Sequence, residues 1–278
     1  MKKYCDLHTH SYYSDGGFSP AQLIKMAEAA DLSALALCDH NVISGLREFV
    51  AAGETSPVEA VPGIEFSTDY SGKCLHILAL FVRPEQYSAI ENFLKEGWQD
   101  KERHNMQLVQ GLRQAGFSVD LETIRSRTRD GHVNPVHINW ELVRQGYAKT
   151  YQEALPHLKA VERLFTPPRW ADVFDTIRFI RALGLKPVLA HPLLELNEAE
   201  MREFLPEAMA AGLVGMEVQH AKYDENKAVL AYQLAEEFGL LPSGGSDFHG
   251  ENRQGVCVGT GRGNLRVPSQ WLEQLRTP

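Results

Sequence analysis

Two histidines near the start of the chain have the spacing of a metal-binding pair. Residues 4–11 have the composition of a β-strand, in which successive side chains point to opposite faces of the sheet. His8 and His10 therefore project together, and Asp15 follows closely in a loop. Imidazole nitrogens are common ligands of zinc and iron. We expect half of a metal site here, and the remaining ligands must come from other parts of the chain.

Further residues of metal-binding type occur where apolar stretches of the chain end. In β/α barrels the carboxyl ends of the strands converge on one face, where functional sites are built. The residues in such positions are His40, Glu65, His191, Asp247 and His249. His76 fits this rule less well, because it precedes its apolar stretch. Their recurrence at successive strand ends predicts a metal centre far more specifically than any one of these residues alone.

The other histidines lack such a setting, and we interpret them as surface or packing residues: His104, His132, His157 and His220. Asp6 and Asp39 each precede a candidate ligand. They either orient imidazole rings as hydrogen-bond acceptors or bond to the backbone at strand ends.

Short apolar stretches alternate with helical stretches at both ends of the chain, which predicts an α/β fold with a parallel sheet. Ser19 and Pro20 are residue types that cap and begin a helix. Pro62 and Gly63 are expected to break the apolar segment that delivers Glu65. Between residues 84 and 167 the apolar spacing is helical, which predicts an all-helical insertion. Either a barrel or a doubly wound sheet would accommodate this order.

The net charge of −8 argues against broad binding to nucleic acid or to an anionic membrane. No apolar stretch approaches the ~18 residues of a membrane span, and Asp6 and His8 interrupt any secretory leader. The four cysteines are scattered without a Cys-x-x-Cys pair, so we expect a cytoplasmic protein. Residues 95–170 carry 12 Lys and Arg against 9 Asp and Glu. This basic stretch either faces an anionic substrate or is an ordinary solvated helical surface.

Taken together, the motifs resemble those of the PHP (polymerase and histidinol phosphatase) family. In chain order they are Asp6-Leu7-His8-Thr9-His10-Ser11, Ser14-Asp15-Gly16, Asp39-His40, Gly63-Ile64-Glu65, His76-Ile77-Leu78, Ala190-His191-Pro192 and Gly245-Ser246-Asp247-Phe248-His249. The resemblance implies an α/β fold, a distorted (β/α)7 barrel with an all-helical insertion. The barrel would comprise residues 1–83 and 168–278, and the insertion residues 84–167.

The same resemblance implies a trinuclear centre and assigns each candidate ligand to one of three divalent metal ions. The first ion would be held by His8, His10, Glu65 and Asp247. The second would share Glu65 and add His76 and His191. The third would be held by Asp15, His40 and His249. Histidine and carboxylate ligands without thiolate suit Mn²⁺, Zn²⁺ or Fe²⁺. Asp247, His191 and His249 are the residues expected to be catalytic.

Within the family, the insertion resembles that of a branch that hydrolyses nucleotide phosphoesters; residues 97–116, 137–146 and 151–158 carry this likeness. That branch usually has a phosphate-contacting arginine where this chain has Pro135. It also has Gly-Lys-Pro where this chain has Pro167-Pro168-Arg169. Arg169 is therefore either a replacement cation for substrate binding or a solvated residue beside a proline turn. His137 either contacts the phosphate or leaving group or packs within its helix.

The resemblance implies a metal-dependent phosphoesterase acting on a small phosphomonoester, with a 3′,5′-bisphosphonucleotide or nucleoside monophosphate as the expected substrate. Adjacent divalent ions would supply hydroxide near neutral pH and neutralise phosphate oxygens during attack at phosphorus.

Several alternatives to this reading stay open. They are a histidinol phosphatase, which the insertion argues against, and a 5′–3′ exoribonuclease on short RNA. Hydrolysis of C–N bonds, as in related amidohydrolases, is disfavoured because no lysine ends a strand. The last alternative is a non-catalytic, metal-stabilised binding module. We expect a small phosphorylated partner, without a membrane or a stable nucleic-acid complex, and the sequence does not predict the oligomeric state.

Overall fold

The computed structural model describes residues 3–277 and contains one seven-stranded sheet in which the strands lie in chain order. The strands are β1 (Asp6–Thr9), β2 (Ala34–Leu37), β3 (Glu59–Tyr70), β4 (Lys73–Leu80), β5 (Lys186–Ala190), β6 (Gly215–His220) and β7 (Leu241–Gly245). The helices are α1 (Pro20–Ala29), α2 (Leu46–Gly53), α3 (Tyr87–Gln114), α4 (Leu121–Arg125), α5 (Pro135–Arg144), α6 (Tyr151–Glu162), α7 (Val173–Ala182), α8 (Glu198–Ala211), α9 (Glu225–Phe238) and α10 (Ser269–Arg276).

The sheet curls until its first and last strands meet. The backbone N–H of Asp247 donates to the carbonyl of His8 over 2.8 Å, and that of His10 donates to the carbonyl of Phe248 over 3.0 Å. These bonds follow β7 and flank the end of β1, so the two edges are joined where the candidate ligands lie. The predicted α/β class and distorted (β/α)7 barrel are confirmed.

Strand β4 runs antiparallel to both of its neighbours, β3 and β5, whereas the other neighbouring strands pair in parallel. The sheet is therefore not wholly parallel, whereas the hairpin turn that the sequence predicts at residues 70–73 is formed. Only a two-residue turn separates β3 from β4, which is too short for the crossover that a parallel pair requires. One consequence is that β4 begins at the edge where the parallel strands end.

The predicted break at Pro62-Gly63 is also wrong, because β3 continues through both residues. Up to Pro62 the strand pairs with β2, and from Gly63 onward it pairs with β4. A side chain at Gly63 would meet the Cys38 sulfur at 3.0 Å and the carbonyl of Ala79 at 3.1 Å. The pair therefore marks a change of pairing partner at a crowded position, and the strand carries Glu65 onward into the site.

Polar side chains cap the first turns of α1 and α9. Ser19 Oγ accepts from the Gln22 backbone N–H over 3.0 Å, and Gln22 Oε1 accepts from the Ser19 N–H over 2.8 Å. Asp224 caps α9 in a similar way, through the backbone N–H of Lys227. The predicted cap at Ser19 is confirmed.

Between β4 and α7 the chain forms a short 3-10 turn (Pro84–Gln86) and the helices α3 to α6. These helices have an apolar cluster of their own, which includes Leu108, Leu112, Ile138 and Leu158. A larger cluster packs the barrel strands against α1, α2, α7, α8 and α9. The first turns of α3 contribute Ile90 and Leu94 to the larger cluster, so the separate core does not begin at residue 84. The division at 83/84 and 167/168 stays a proposal. Across residues 3–277 no helix is both long and apolar enough to cross a membrane.

Candidate metal centre

The nine predicted ligands come from six of the seven strands and the loops that follow them. His8 lies on β1, Glu65 on β3 and His76 at the start of β4, and the others lie beyond strand ends: His10, Asp15, His40, His191, Asp247 and His249. His76 reaches the same place as the rest because β4 is antiparallel, so its first residues lie beside the carboxyl ends of the other strands. In the register of the sheet, His76 pairs with Ala190, the residue before His191.

One group of donor atoms surrounds the Oε2 atom of Glu65. It lies 3.1 Å from His8 Nε2 and 3.2 Å from His10 Nε2. The two imidazole nitrogens are 3.0 Å apart, and His10 Nε2 is 3.2 Å from Asp247 Oδ1. All four side chains are almost completely buried. The structure thus brings together the four residues expected to hold the first ion.

The other carboxylate oxygen of Glu65 faces a second group. Its Oε1 atom lies 2.9 Å from His76 Nδ1 and 3.0 Å from His191 Nε2. His40 approaches the Oε2 atom at 3.0 Å through Nδ1. One carboxylate therefore stands next to five of the six predicted histidine ligands and has the position of a bridge.

Asp15 organises the third group. Its Oδ2 atom lies 3.1 Å from His249 Nε2 and 3.8 Å from His40 Nε2. His10 Nδ1 is 3.7 Å from Asp15 Oδ1. Donor atoms of His10, Asp15, His40 and His249 lie within 4.8 Å of one another, which is compatible with their sharing an ion.

The donor atoms of these groups fit bound cations better than they fit one another. His40 Nδ1 and His76 Nδ1 lie at hydrogen-bond distance from Glu65 but do not have hydrogen-bond geometry. The buried atoms that lack a hydrogen-bond partner include His10 Nδ1, His40 Nδ1, Glu65 Oε2, His76 Nδ1, His191 Nδ1, Asp247 Oδ1 and His249 Nε2. Buried polar atoms are rarely left unpaired. Their convergence, together with nitrogen and carboxylate donors, is the arrangement expected for divalent metal ions.

The carboxylates of the cluster are held in the ionised form that metal binding requires. Burial alone would raise the pKa of Glu65, but His40, His8 and His76 hold it well below its ordinary value. The pKa of Asp15 is likewise well below its usual range, because His249 and His40 outweigh the effect of burial. Burial lowers the pKa of His191, which favours a neutral imidazole that can act as a ligand.

Two of the predicted catalytic residues have left-handed backbones. His191 has φ 32° and Asp247 has φ 52°, a conformation that non-glycine residues seldom adopt. Such strain is concentrated at functional sites, where the surrounding structure enforces it. The third, His249, is anchored by a 2.8 Å contact between its Nδ1 and the carbonyl of Asp247.

Sequence reasoning missed Glu217, which lies fully buried on β6 and contacts two predicted ligands. Its Oε1 atom is 2.9 Å from His8 Nδ1, and its Oε2 atom accepts the backbone N–H of His191 over 2.7 Å. A carboxylate on the second nitrogen of a ligating imidazole fixes the ring and its tautomer. A charged residue within the otherwise apolar stretch 214–218 was the available sequence cue.

Two further contacts hold Asp247. His220 Nε2 lies 3.1 Å from Asp247 Oδ2, and the guanidinium of Arg253 donates to the same oxygen. The interpretation of His220 as a surface or packing residue was therefore wrong, because it is buried and contacts a predicted ligand. These contacts leave Asp247 Oδ1 facing His10.

The two aspartates that precede ligands form hydrogen bonds with the backbone and with serine side chains. Asp6 accepts backbone N–H groups from Ser246 and Gly259, each over 2.8 Å. Asp39 accepts from the hydroxyls of Ser11 and Ser14, each over 2.6 Å. Of the two alternatives left by the sequence, the structure favours strand-end bonding over the orientation of imidazoles.

A cavity of about 480 Å³ opens above the ligands that are partly exposed. These are Asp15, His40 and His76, with 24%, 16% and 20% of their side chains exposed. The opposite side of the cavity is formed by the insertion and its exit, including Lys101, Asn134, Tyr151 and Trp170. The barrel therefore supplies the metal-type ligands at the base of the cavity, and the insertion supplies side chains on the opposite side.

The two predicted substrate contacts do not line this cavity. His137 Nδ1 accepts the backbone N–H of Asn134 over 3.0 Å, which caps α5, and its ring lines a different cavity of about 340 Å³. Arg169 lines an adjoining cavity of about 370 Å³ together with Arg103 and His104. Of these residues only His104 belongs to both the adjoining cavity and the one above the ligands.

Comparison with known protein families gives one match, to the model of the PHP domain. It covers residues 6–167, which include β1 to β4 and the helices of the insertion. These residues contain six of the nine predicted ligands.

Proteins similar along nearly the whole chain carry phosphoesterase names. A 5′-3′ exoribonuclease from Haemophilus influenzae is 31% identical, over 90% of this chain and 91% of that protein. A 3′,5′-nucleoside bisphosphate phosphatase from Chromobacterium violaceum is 28% identical, over 91% and 90%. Among solved structures, a protein described as a metal-dependent phosphoesterase from Bifidobacterium adolescentis has a TM-score of 0.85 at 22% identity, covering 98% of this chain and 94% of its own. That last likeness concerns the fold.

Proposed function

The chain belongs to the PHP family and is a metal-dependent phosphoric ester hydrolase, and from this premise we propose that its substrate is a small phosphomonoester of a nucleotide. The substrates we favour are 3′,5′-bisphosphonucleotides and nucleoside monophosphates. The observation that carries the proposal is the cavity of about 480 Å³ that is lined by three predicted metal ligands, two lysines and two aromatic side chains. Cavities of this size hold small organic ligands.

The walls of the cavity suit the parts of a nucleotide. Lys101 offers a cation for phosphate, and the rings of Tyr151 and Trp170 offer surfaces on which a base can stack. The bisphosphate phosphatase from Chromobacterium violaceum is named for a substrate with these parts. The barrel supplies the hydrolytic residues in this proposal, and the insertion selects the substrate.

We assign the nine predicted ligands to three divalent ions in the grouping that the resemblance to the family implies. His8, His10, Glu65 and Asp247 form the first group; Glu65, His76 and His191 the second; Asp15, His40 and His249 the third. The ions, proposed to be Mn²⁺, Zn²⁺ or Fe²⁺, would supply hydroxide at neutral pH and neutralise phosphate charge.

The residues of the chain orient this chemistry. Glu217 fixes the His8 ring, while His220 and Arg253 fix one oxygen of Asp247 so that the other faces His10. The partial exposure of Asp15, His40 and His76 directs the substrate phosphate to that side of the cluster. Asp247, His191 and His249 remain the proposed catalytic residues, and the first two have the strained backbones.

A second candidate is hydrolysis at the 5′ end of short RNA, as the name of the Haemophilus influenzae relative states for that protein. The adjoining cavity of about 370 Å³ is compatible with it, because Arg103 and Arg169 could contact a second phosphate further along a chain. The same position would suit the second phosphate of a bisphosphonucleotide. In both cases Arg169 keeps its predicted role in binding substrate.

Hydrolysis of a substrate panel tests the proposal, measured as inorganic phosphate released from the phosphomonoesters and as 5′-mononucleotide released from RNA. The panel holds nucleoside monophosphates, 3′,5′-bisphosphonucleotides, histidinol phosphate and 5′-phosphorylated short RNA, each with Mn²⁺-loaded protein. We expect release from a mononucleotide, loss of that activity in Asp247→Asn, and no loss in Asp175→Asn, which changes an exposed residue on α7. A higher kcat/KM on RNA would favour the second candidate. If the metal-loaded protein releases phosphate from no member of the panel, the proposal fails.

A further inference from the structure

Lys101 is a buried lysine of the insertion that lines the same cavity as three of the predicted ligands. It lies on α3 with 8% of its surface exposed. The ammonium group donates to Asn134 Oδ1, and this is its one hydrogen bond within residues 3–277. A lysine ammonium has three N–H donors. Two donors are therefore available to a ligand in the cavity that Lys101 lines.

The charge of Lys101 has no direct counterion. No aspartate or glutamate in the described part of the chain forms an ion pair with it. Burial lowers the pKa of Lys101 to about 8, although Asp15, Asp130 and Glu102 act in the opposite direction from a distance. A buried cation without a counterion is costly to the folded protein. An anionic ligand that enters the cavity from solvent would supply the missing counterion.

Asn134 connects this lysine to the metal-binding loop. Its Nδ2 atom donates to the carbonyl of Ser14 over 2.7 Å, and Ser14 precedes the predicted ligand Asp15. The backbone N–H of the same asparagine donates to His137 Nδ1. The ammonium is thus held by an asparagine that is also bonded to the loop carrying a ligand.

We propose that Lys101, positioned by Asn134, binds the phosphate group that is hydrolysed, on the side of the cavity facing Asp15, His40 and His76. The inference rests on the proposed function and deepens it, because it names the residue that makes the site selective for a phosphate anion. Lys101 thereby supplies the positive charge that is missing at Pro135. Arg169 is left for a phosphate further from the ligands, since it lines the adjoining cavity.

The test compares Lys101→Met with Lys101→Arg in the Mn²⁺-loaded protein. Lys159→Met is the matched control, because Lys159 also lines the cavity but is exposed and paired with Glu162 at 2.5 Å. We measure kcat and KM for the best nucleotide of the panel and the dissociation constant of inorganic phosphate by calorimetry. Metal content and thermal unfolding are followed in parallel.

Loss of a charge-assisted hydrogen bond is expected to weaken binding roughly 10- to 100-fold. Lys101→Met should therefore raise KM and the phosphate dissociation constant by that factor, with kcat and metal content nearly unchanged. Lys101→Arg should recover most of the affinity, and Lys159→Met should resemble the wild type. Because methionine removes a buried charge, Lys101→Met should unfold at the same or a higher temperature, whereas loss of a structural lysine would lower it.

Three results would overturn the assignment: unchanged phosphate affinity in Lys101→Met, an equal loss in Lys159→Met, or no recovery in Lys101→Arg when that variant is folded. The outcome is separable from that of the proposed function. If the wild type hydrolyses no nucleotide, the proposed function fails, while the calorimetric comparison with inorganic phosphate still decides the role of Lys101. If hydrolysis is observed but the variants bind phosphate equally, only the role of Lys101 is refuted.

Discussion

Glu65 is the residue on which the geometry of the site depends most. Its two oxygens lie within 3.2 Å of nitrogens from five histidines. A carboxylate has about four lone-pair positions, so it cannot accept five separate hydrogen bonds of good geometry. Ions placed between the carboxylate and the imidazoles resolve this excess, because each ion accepts lone pairs from several donors at once.

The contacts of Glu217 lead to a prediction for metal affinity. Glu217→Ala removes the partner of His8 Nδ1 and of the His191 backbone, so both ligands lose their fixed orientation. We expect affinity for Mn²⁺ to fall by roughly 10- to 100-fold. Competition with a fluorescent chelator measures it, and Glu236→Ala, at an exposed position of α9, is the control. Equal affinity in the two variants would contradict a role for Glu217 in orienting ligands.

Residue type and position sufficed to select side chains that converge in the fold, but not the residues that support them. His8, His40 and His191 could be recognised because metal-binding types recur where apolar stretches end. Glu217 and Lys101 could not, because their roles depend on contacts with parts of the chain far away in sequence. A charged residue in a strand or helix has no special meaning until the fold shows that it is buried and which groups surround it.

At the scale of secondary-structure elements, the direction of β4 explains the position of His76, the candidate ligand that spacing predicted least well. His76 precedes its apolar stretch, which would place it at the wrong end of a parallel strand. Because β4 is antiparallel, its beginning lies with the carboxyl ends of its neighbours, and His76 meets Glu65 there. Apolar composition does not report strand direction, so the short turn after β3 was the only local cue.

The packing of α3 against the exit of the insertion gives a second prediction. A side chain at Gly97 would lie 2.5 Å from the ring of Trp170, one of the walls of the cavity. Gly97→Ala improves helix propensity by about 1 kcal/mol but forces the ring or the helix to move. We expect a net loss of about 1–3 kcal/mol in the free energy of unfolding, and weaker binding of nucleotides.

Urea denaturation and a nucleotide titration measure the two effects of Gly97→Ala. Glu96→Ala, at the preceding exposed position of α3, has the same new residue without the contact and serves as the control. A Gly97→Ala protein that is more stable than the wild type and binds nucleotides equally well would show that Trp170 does not depend on this close approach.

At the scale of the whole molecule, the two ends of the chain complete one site. Asp247 and His249 come from the end of β7, yet they lie beside His10 because the sheet closes on itself. The basic charge of residues 95–170 is carried largely by the insertion, which faces the carboxylates of the barrel across the cavity. We therefore propose that the insertion selects the substrate and that the barrel supplies the hydrolytic residues.

A titration of Mn²⁺ into metal-free protein tests the central claim most directly. Bound ions per chain are counted by elemental analysis, and phosphate release from the best nucleotide is followed at each step. We predict that activity reaches its plateau at about three ions per chain, because each group of ligands contributes to hydroxide formation or charge neutralisation. Full activity at one ion per chain would contradict the proposal of a trinuclear centre. Three bound ions without phosphate release from any nucleotide would contradict the proposal that the protein hydrolyses nucleotides.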